Sequence, residues 1–213
     1  MGAAGMERMD RPRRIAGEVW VAVGVLAMAG WTLTEPAHPA GFITWAAAIL
    51  VALGTAAQAV TGSLRWWGGR LCGGVVGLEL VGAVGDRFGA FGRPGSPAVS
   101  WGDWSHFQAE AAQLVPWDRL VVPAAVAATV AEVVLGVLLV VGPWQRWTGK
   151  ATAGLFVIYL LAMIPGMGSA SILEYGLPVL IGGALVSSAR GDRRATHQSP
   201  AVGRENTLAA DYK

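Results

Sequence analysis

Residues 124–142 read AAVAATVAEVVLGVLLVVG. Apart from Thr129 and Glu132 the run is alanine, valine, leucine and glycine. With the residues just before it, the run is long enough to cross a bilayer, which takes about 20 mostly apolar residues. Glu132 lies thirteen residues from Arg119 and fourteen from Arg146. At ~1.5 Å per residue that is roughly 20 Å from either boundary, near the bilayer midplane. An acidic side chain there costs about 2.5–3.5 kcal/mol on insertion scales. The cost falls if the group faces other helices. The helical period predicts that it does. Ala125, Thr129, Glu132 and Gly136 fall on one small, polar stripe, and Val126, Val130, Val133, Val137 and Val141 form the bulky opposite side. A neighbouring backbone can approach closely over Gly136.

The rest of the chain agrees with a membrane setting. Of 213 residues, 54% are hydrophobic and 14% charged, against about 25% charged in a soluble domain. Mean hydropathy is +0.48. The fold class expected is an all-α integral membrane protein with six transmembrane helices, at 15–33, 41–61, 70–88, 120–142, 151–167 and 175–189. Thirteen of the sixteen Lys and Arg residues fall before the first span, in the loops after the second and fourth, or after the sixth. The other side holds Arg87, Arg93 and Arg119. The positive-inside rule places both termini in the cytoplasm of a multi-pass plasma-membrane protein, with the lipid bilayer as its surroundings and no nucleic-acid partner. Trp66, Trp67, Trp144 and Trp147 flank the inner ends as an interfacial belt. The tail 190–213 reads as polar and disordered. Its end, Asp211-Tyr212-Lys213, matches the start of a common epitope tag and is set aside. The single cysteine, Cys72, excludes an internal disulfide, a CxxC redox pair and a cysteine-based metal centre.

The third span carries a second acid, Glu79, with Asp86 seven residues further out on the same face. Gly69, Gly73 and Gly77 form a small-residue ridge. The third and fourth spans run antiparallel, so Glu79 and Glu132 are expected at similar depth. Two close carboxylates in a low dielectric do not both ionise, so they are expected to share a proton. Two readings of such a pair stand. One is a proton relay or a hydrogen-bond partner for a quinone carbonyl. The other is a protonated clamp that fixes helix register.

The longest loop, 89–118, faces outward. Residues 92–97 carry turn chemistry. Ser100 followed by Asp103 has capping-box spacing. Beyond it, Trp101, Trp104, Phe107, Ala111, Leu114 and Val115 share one side, and Asp103, His106, Glu110 and Gln113 the other. A short amphipathic helix over 101–115 is expected, on the outer membrane surface or folded over the bundle mouth. Asp103, His106 and Glu110 have spacing compatible with a metal, but no second cluster joins them. The solvated-face reading is preferred and no metal site is expected.

The blocks Gly85-Asp86-Arg87-Phe88-Gly89, residues 94–104 (PGSPAVSWGDW) and residues 131–142 (AEVVLGVLLVVG), followed by Arg146, resemble actinobacterial DoxX-family membrane proteins over roughly 70–189. The resemblance implies a four-helix membrane domain at 70–189, preceded here by a basic segment 1–14 and two extra helices in 15–69. It also implies a subunit of a redox complex, with quinone as the cofactor contacted and none tightly bound. A redox protein is the implied partner, and oligomerisation is open. On that reading Glu79, Glu132, Asp86 and Arg87 form a quinone or proton site. Trp101, Asp103, Trp104, His106 and Phe107 form the surface offered to the partner. Two rivals remain, a stand-alone quinone oxidoreductase and a small proton-coupled transporter. The first lacks a flavin fingerprint, a redox cysteine pair and a histidine within any span. The second has two mid-membrane acids but no inverted repeat.

Overall fold

The computed structural model describes residues 3–35, 41–60, 63–97, 99–142 and 144–189, with side chains from residue 11 onward. The expected disordered tail lies outside the described residues. The chain is all-helical among them: α1 (Ala3–Thr34), α2 (Phe42–Ala56, extended by a 3-10 turn to Ala59), α3 (Ser63–Arg87), α4 (Trp104–Leu114), α5 (Asp118–Val141), α6 (Gln145–Gly166), α7 (Ser169–Glu174) and α8 (Leu177–Ser188). Five helices, α1, α2, α3, α5 and α6, are long and apolar enough to cross a membrane. The chain is a multi-pass membrane protein.

The sixth expected span is shorter than its apolar run implies. It is α8, 12 residues long, or about 18 Å at ~1.5 Å per residue, against a hydrocarbon core of about 30 Å. Gly176 breaks the run with φ +61°, a left-handed conformation that glycine adopts without a Cβ clash. Pro178 then sits in the first turn of α8, where its missing N–H costs nothing. All of α8 except Leu185 is buried. A helix apolar on every face belongs in the centre of a bundle, and α8 packs against α1, α2, α3 and α6.

Small residues let the helices approach. A Cβ added at Gly77 of α3 would lie 2.7 Å from the Gly136 carbonyl oxygen of α5. The expected glycine ridge is shared out: Gly77 meets α5, while Gly73 faces Gln145 and Ser187. On α5 the buried positions are Val121, Ala125, Thr129, Glu132, Gly136 and Leu139, and the valine face is exposed. Periodicity locates that stripe correctly. Where α5 ends, the Arg70 guanidinium donates to the carbonyls of Val140 (2.8 Å) and Val141 (3.0 Å). A cation at a helix C-terminus satisfies carbonyls that have no intrahelical partner. Trp67, Trp144 and Trp147 are exposed near this end of the bundle.

Helix α4 closes the opposite end. It packs on α5 through Phe107 and Ala111, against Val121 and Ala125. It starts later than the sequence suggests. The N-cap is Asp103, whose carboxylate accepts from the His106 backbone N–H at 2.9 Å, so the Ser100 capping box is not formed.

Candidate functional site

Arg87 is the last residue of α3, and its side chain turns back into the bundle. It is 3% exposed and Glu132 is 1% exposed. Nη2 lies 2.6 Å from Glu132 Oε2 and donates to Oε1 at 2.9 Å. Nη1 donates to the Thr129 hydroxyl at 2.8 Å. That hydroxyl donates in turn to the Ala125 carbonyl at 2.8 Å. The Tyr159 hydroxyl of α6 donates to Glu132 Oε1. Three helices thus converge on one carboxylate. The guanidinium is flanked by rings, 3.8 Å from the Phe107 centroid and 5.0 Å from that of Trp101. Such cation–π contacts strengthen when desolvated.

This arrangement corrects the expected pair. Glu132 is held by a cation and one hydroxyl, that of Tyr159, not by a second carboxylate. A buried carboxylate is stabilised best by an opposite charge together with hydrogen bonds; Arg87 supplies the charge and one hydrogen bond, and Tyr159 a second. Glu79 lines the same cavity, but no hydrogen bond or ion pair of its own is formed among the described residues.

Asp86, buried beside Arg87, faces the loop. Its Oδ2 accepts from the backbone N–H groups of Ser100 (3.0 Å) and Trp101 (2.8 Å). Adjacent residues at the end of α3 therefore do two jobs. One pins the loop; the other reaches the core, under the indole that the first has fixed.

Glu110 departs from the solvated face assigned to it. It turns inward, accepting from Trp101 Nε1 at 2.7 Å and from the Tyr175 hydroxyl at 3.1 Å. Trp101 and Tyr175 stack with centroids 6.2 Å apart. Burial raises the Glu110 carboxyl above its ordinary range and nearby Glu174 adds to this, against the lowering effect of the two hydrogen bonds. A raised carboxyl pKa favours the folded state at acid pH, and that contribution is lost as pH rises through the raised value. Thermal unfolding of the Glu110→Gln protein is expected to lack this part of the pH dependence above about pH 4.3, the ordinary glutamate value. Asp103 has the opposite sign. Its carboxylate accepts from the His106 backbone N–H, the Ser105 hydroxyl and the His106 ring, which lower its pKa.

The residues expected at a partner surface therefore separate. Phe107 is buried and Trp101 half-buried, and both face Arg87. Asp103 and His106 pair with each other at the surface, Nδ1 to Oδ1 2.9 Å. Trp104 stacks on exposed Phe88 at 5.7 Å. Glu110 turns away from the Asp103–His106 pair, and no group of three or more potential metal-ligating side chains occurs among the described residues.

Arg87, Glu132, Tyr159, Trp101, Phe107 and Glu110 wall a cavity of about 570 Å³ between α3, α4, α5, α6 and α8, within the range of about 300–1,000 Å³ typical of ligand pockets. Its lining is mainly alanine, leucine and aromatic. Arg87, Glu79, Glu110, Glu132, Tyr159 and Tyr175 supply the polar groups. Arg87 Nε is buried with no hydrogen-bond partner among the described residues. Sequence reasoning misses Tyr159 and Tyr175, and it considers Glu110 only as a surface residue. The available signal is a tyrosine inside an apolar run, in a chain with only three tyrosines.

A model of the family described as methylamine utilisation protein MauE, a polytopic membrane family, matches residues 98–173. That stretch contains Trp101, Phe107, Glu110, Thr129, Glu132 and Tyr159. Arg87 and Glu79 precede it, and Tyr175 follows it. No DoxX family match accompanies it, and no curated protein or solved structure matches the chain. Over about a third of its length, from the α4 loop through α7, this multi-pass membrane protein is similar to the MauE family.

Proposed function

We propose that the chain is a DoxX-like integral membrane subunit of a redox complex, which contacts a quinone in the cavity beside Arg87 and Glu132. Similarity to a family named for methylamine utilisation fits a role in substrate oxidation. The observation that carries the reading is a buried, ring-flanked guanidinium on the wall of a mainly apolar cavity, with no hydrogen bond from its Nε among the described residues. A quinone needs that combination: apolar walls for its ring and a donor for its carbonyl oxygen. Arg87 Nε–H is the donor. Trp101 and Phe107 keep the guanidinium dry, which strengthens its hydrogen bonds. Reduction of the ring to the quinol takes two electrons and two protons; Glu79, without an ion pair among the described residues, is the group that passes the two protons in turn, and returns them on reoxidation. Electrons come from the partner oxidoreductase. By the positive-inside reading, α4 lies on the outer face of the plasma membrane, so the partner meets Trp104, His106 and Phe88 there.

The test is gentle purification from native membrane, with mass spectrometry of every co-purifying protein and lipid. A quinone and a stoichiometric redox protein are expected. Phospholipid alone, with no partner, would overturn the reading. Tyr159→Phe removes one hydrogen bond to Glu132 and loosens the wall beside Arg87. It is expected to keep the partner and to weaken quinone binding about tenfold, the equivalent of ~1.4 kcal/mol.

A further inference from the structure

The cavity walls are uneven. The polar groups lie at the inner wall: Glu79 and Arg87 on α3, Glu110 on α4, Tyr175 before α8, and Glu132 and Tyr159 on the inward faces of α5 and α6. Outward from Glu132 and Tyr159, α5 adds Ala124, Ala127, Ala128 and Ala131 to the lining and α6 adds Leu155, Ile158 and Ala162. Helix α5 leans mainly on α3, and α6 mainly on α8, so the two consecutive helices part from each other. Ala127 and Ile158 belong to the cavity lining and to the outer surface at once, Ile158 being 62% exposed. Ile158 lies thirteen residues into α6, and both helices have the length and composition of membrane spans. The seam therefore opens into hydrocarbon, not water.

The end beneath α4 is closed. Phe107, Ala111 and Leu114 cover it. The C-terminal turn of α4 is sealed against α6, where a Cβ on Gly166 would lie 2.6 Å from the Gln113 carbonyl oxygen. The four alanines recur at helical spacing along one face of α5, so the seam wall has no side chain beyond Cβ for about two turns.

We propose that the seam between α5 and α6 is a lateral gate for a ligand with a carbonyl-bearing ring and a long hydrocarbon tail. The ring passes between the alanine wall and Ile158 and stops at Arg87 and Tyr159. The tail stays in the seam and reaches the lipid. This rests on the quinone reading of the cavity and adds the route and the tail. A tailless ring fills only the inner end. A tailed one also buries its first carbons against the alanines, each worth about a methylene of transfer energy.

The full chain in nanodiscs is titrated with two probes, menadione, which has no tail, and menaquinone-4, which has an isoprenoid tail. Binding is read at equilibrium by quenching of tryptophan fluorescence, which reports where the tail is seated and not how fast the ring passes the seam. Ala127→Phe narrows the seam without touching Arg87 or Glu132. It is expected to weaken menaquinone-4 at least tenfold and to leave menadione within twofold. Val130→Phe, on the exposed face away from the seam, is expected to change neither. Ile158→Trp repeats the test from the α6 wall should Ala127→Phe fail to fold. Unchanged binding of both probes, or equal weakening of both, overturns the gate while leaving the quinone site in place. Failure of the unaltered chain to bind either probe overturns the quinone reading itself, and the gate with it.

Discussion

Arg87→Leu is expected to cost about 3–5 kcal/mol of folding stability, because it strands Glu132 as an uncompensated buried carboxylate. The cost does not come mainly from lost attraction. In the folded chain Glu132 is 1% exposed, and Thr129 and Tyr159 cannot cancel its charge. Glu132→Leu is expected to be at least as damaging, since an arginine does not shed its proton and has no neutral form to retreat to. The informative variant is the double one. Arg87→Leu with Glu132→Leu removes both charges and replaces them with side chains that suit the surrounding alanine, valine and phenylalanine. It is expected to recover most of the lost stability, as buried pairs often do on apolar replacement, while abolishing quinone binding. Unfolding by SDS titration in mixed micelles gives the three stabilities, and the menadione titration gives the function. A double variant as unstable as the singles would mean that the pair is needed for folding. Retained binding in the double variant would remove Arg87 from the site.

That partnership marks where the sequence stops being readable. Glu132 is legible because its position has only one economical solution. A charge some 20 Å from either boundary must face inward, and the small residues at four- and three-residue spacing show which side that is. The pairing with the cation is not legible, although the family resemblance groups Arg87 with Glu132 in one site. Arg87 lies at the end of α3 and reads as a loop residue on the aqueous side. Its long side chain lets it sit at one depth and act at another, and periodicity carries no information about that reach. Glu79, an acid at the matching depth, is the more obvious partner and is not the one used. Similar logic separates the residues of α4. Its apolar side is legible from spacing, but spacing alone does not tell a membrane surface from a bundle mouth. Trp101 and Phe107 cover an arginine. Glu110 looks solvated because Asp103 and His106 beside it are. The partner that draws it inward, Tyr175, is 65 residues away. The shortness of α8 is hard to read for a simpler reason. Hydropathy reports burial in protein and burial in lipid alike, and only the break at Gly176 and the all-round packing distinguish them.

Gly77→Leu is expected to part α3 from α5 and to disable the site without touching any residue in it. A Cβ at Gly77 would meet backbone and not only side chains that can rotate away: 2.7 Å to the Gly136 carbonyl oxygen, with Leu139 Cβ at 3.0 Å and Val140 Cγ2 at 2.9 Å. Overpacking of this kind costs about 1–3 kcal/mol, and more where the backbone must move. Arg87 is ten residues further along α3, about 15 Å at ~1.5 Å per residue. A tilt that relieves the clash is carried along a rigid helix to the guanidinium, which holds Glu132 and Thr129 through bonds that tolerate only a few tenths of an ångström. Gly74 supplies the control. It lies one turn away on the same helix, and a Cβ there would meet nothing within 4 Å. Gly74→Leu is expected to be neutral or mildly stabilising, since glycine is about 1 kcal/mol worse than other residues inside a helix. Thermal unfolding and menadione titration of the two proteins should therefore diverge, with loss of both stability and binding in Gly77→Leu alone. Equal tolerance of leucine at both positions would mean that the close approach of α3 and α5 is not what sets the distance between Arg87 and Glu132.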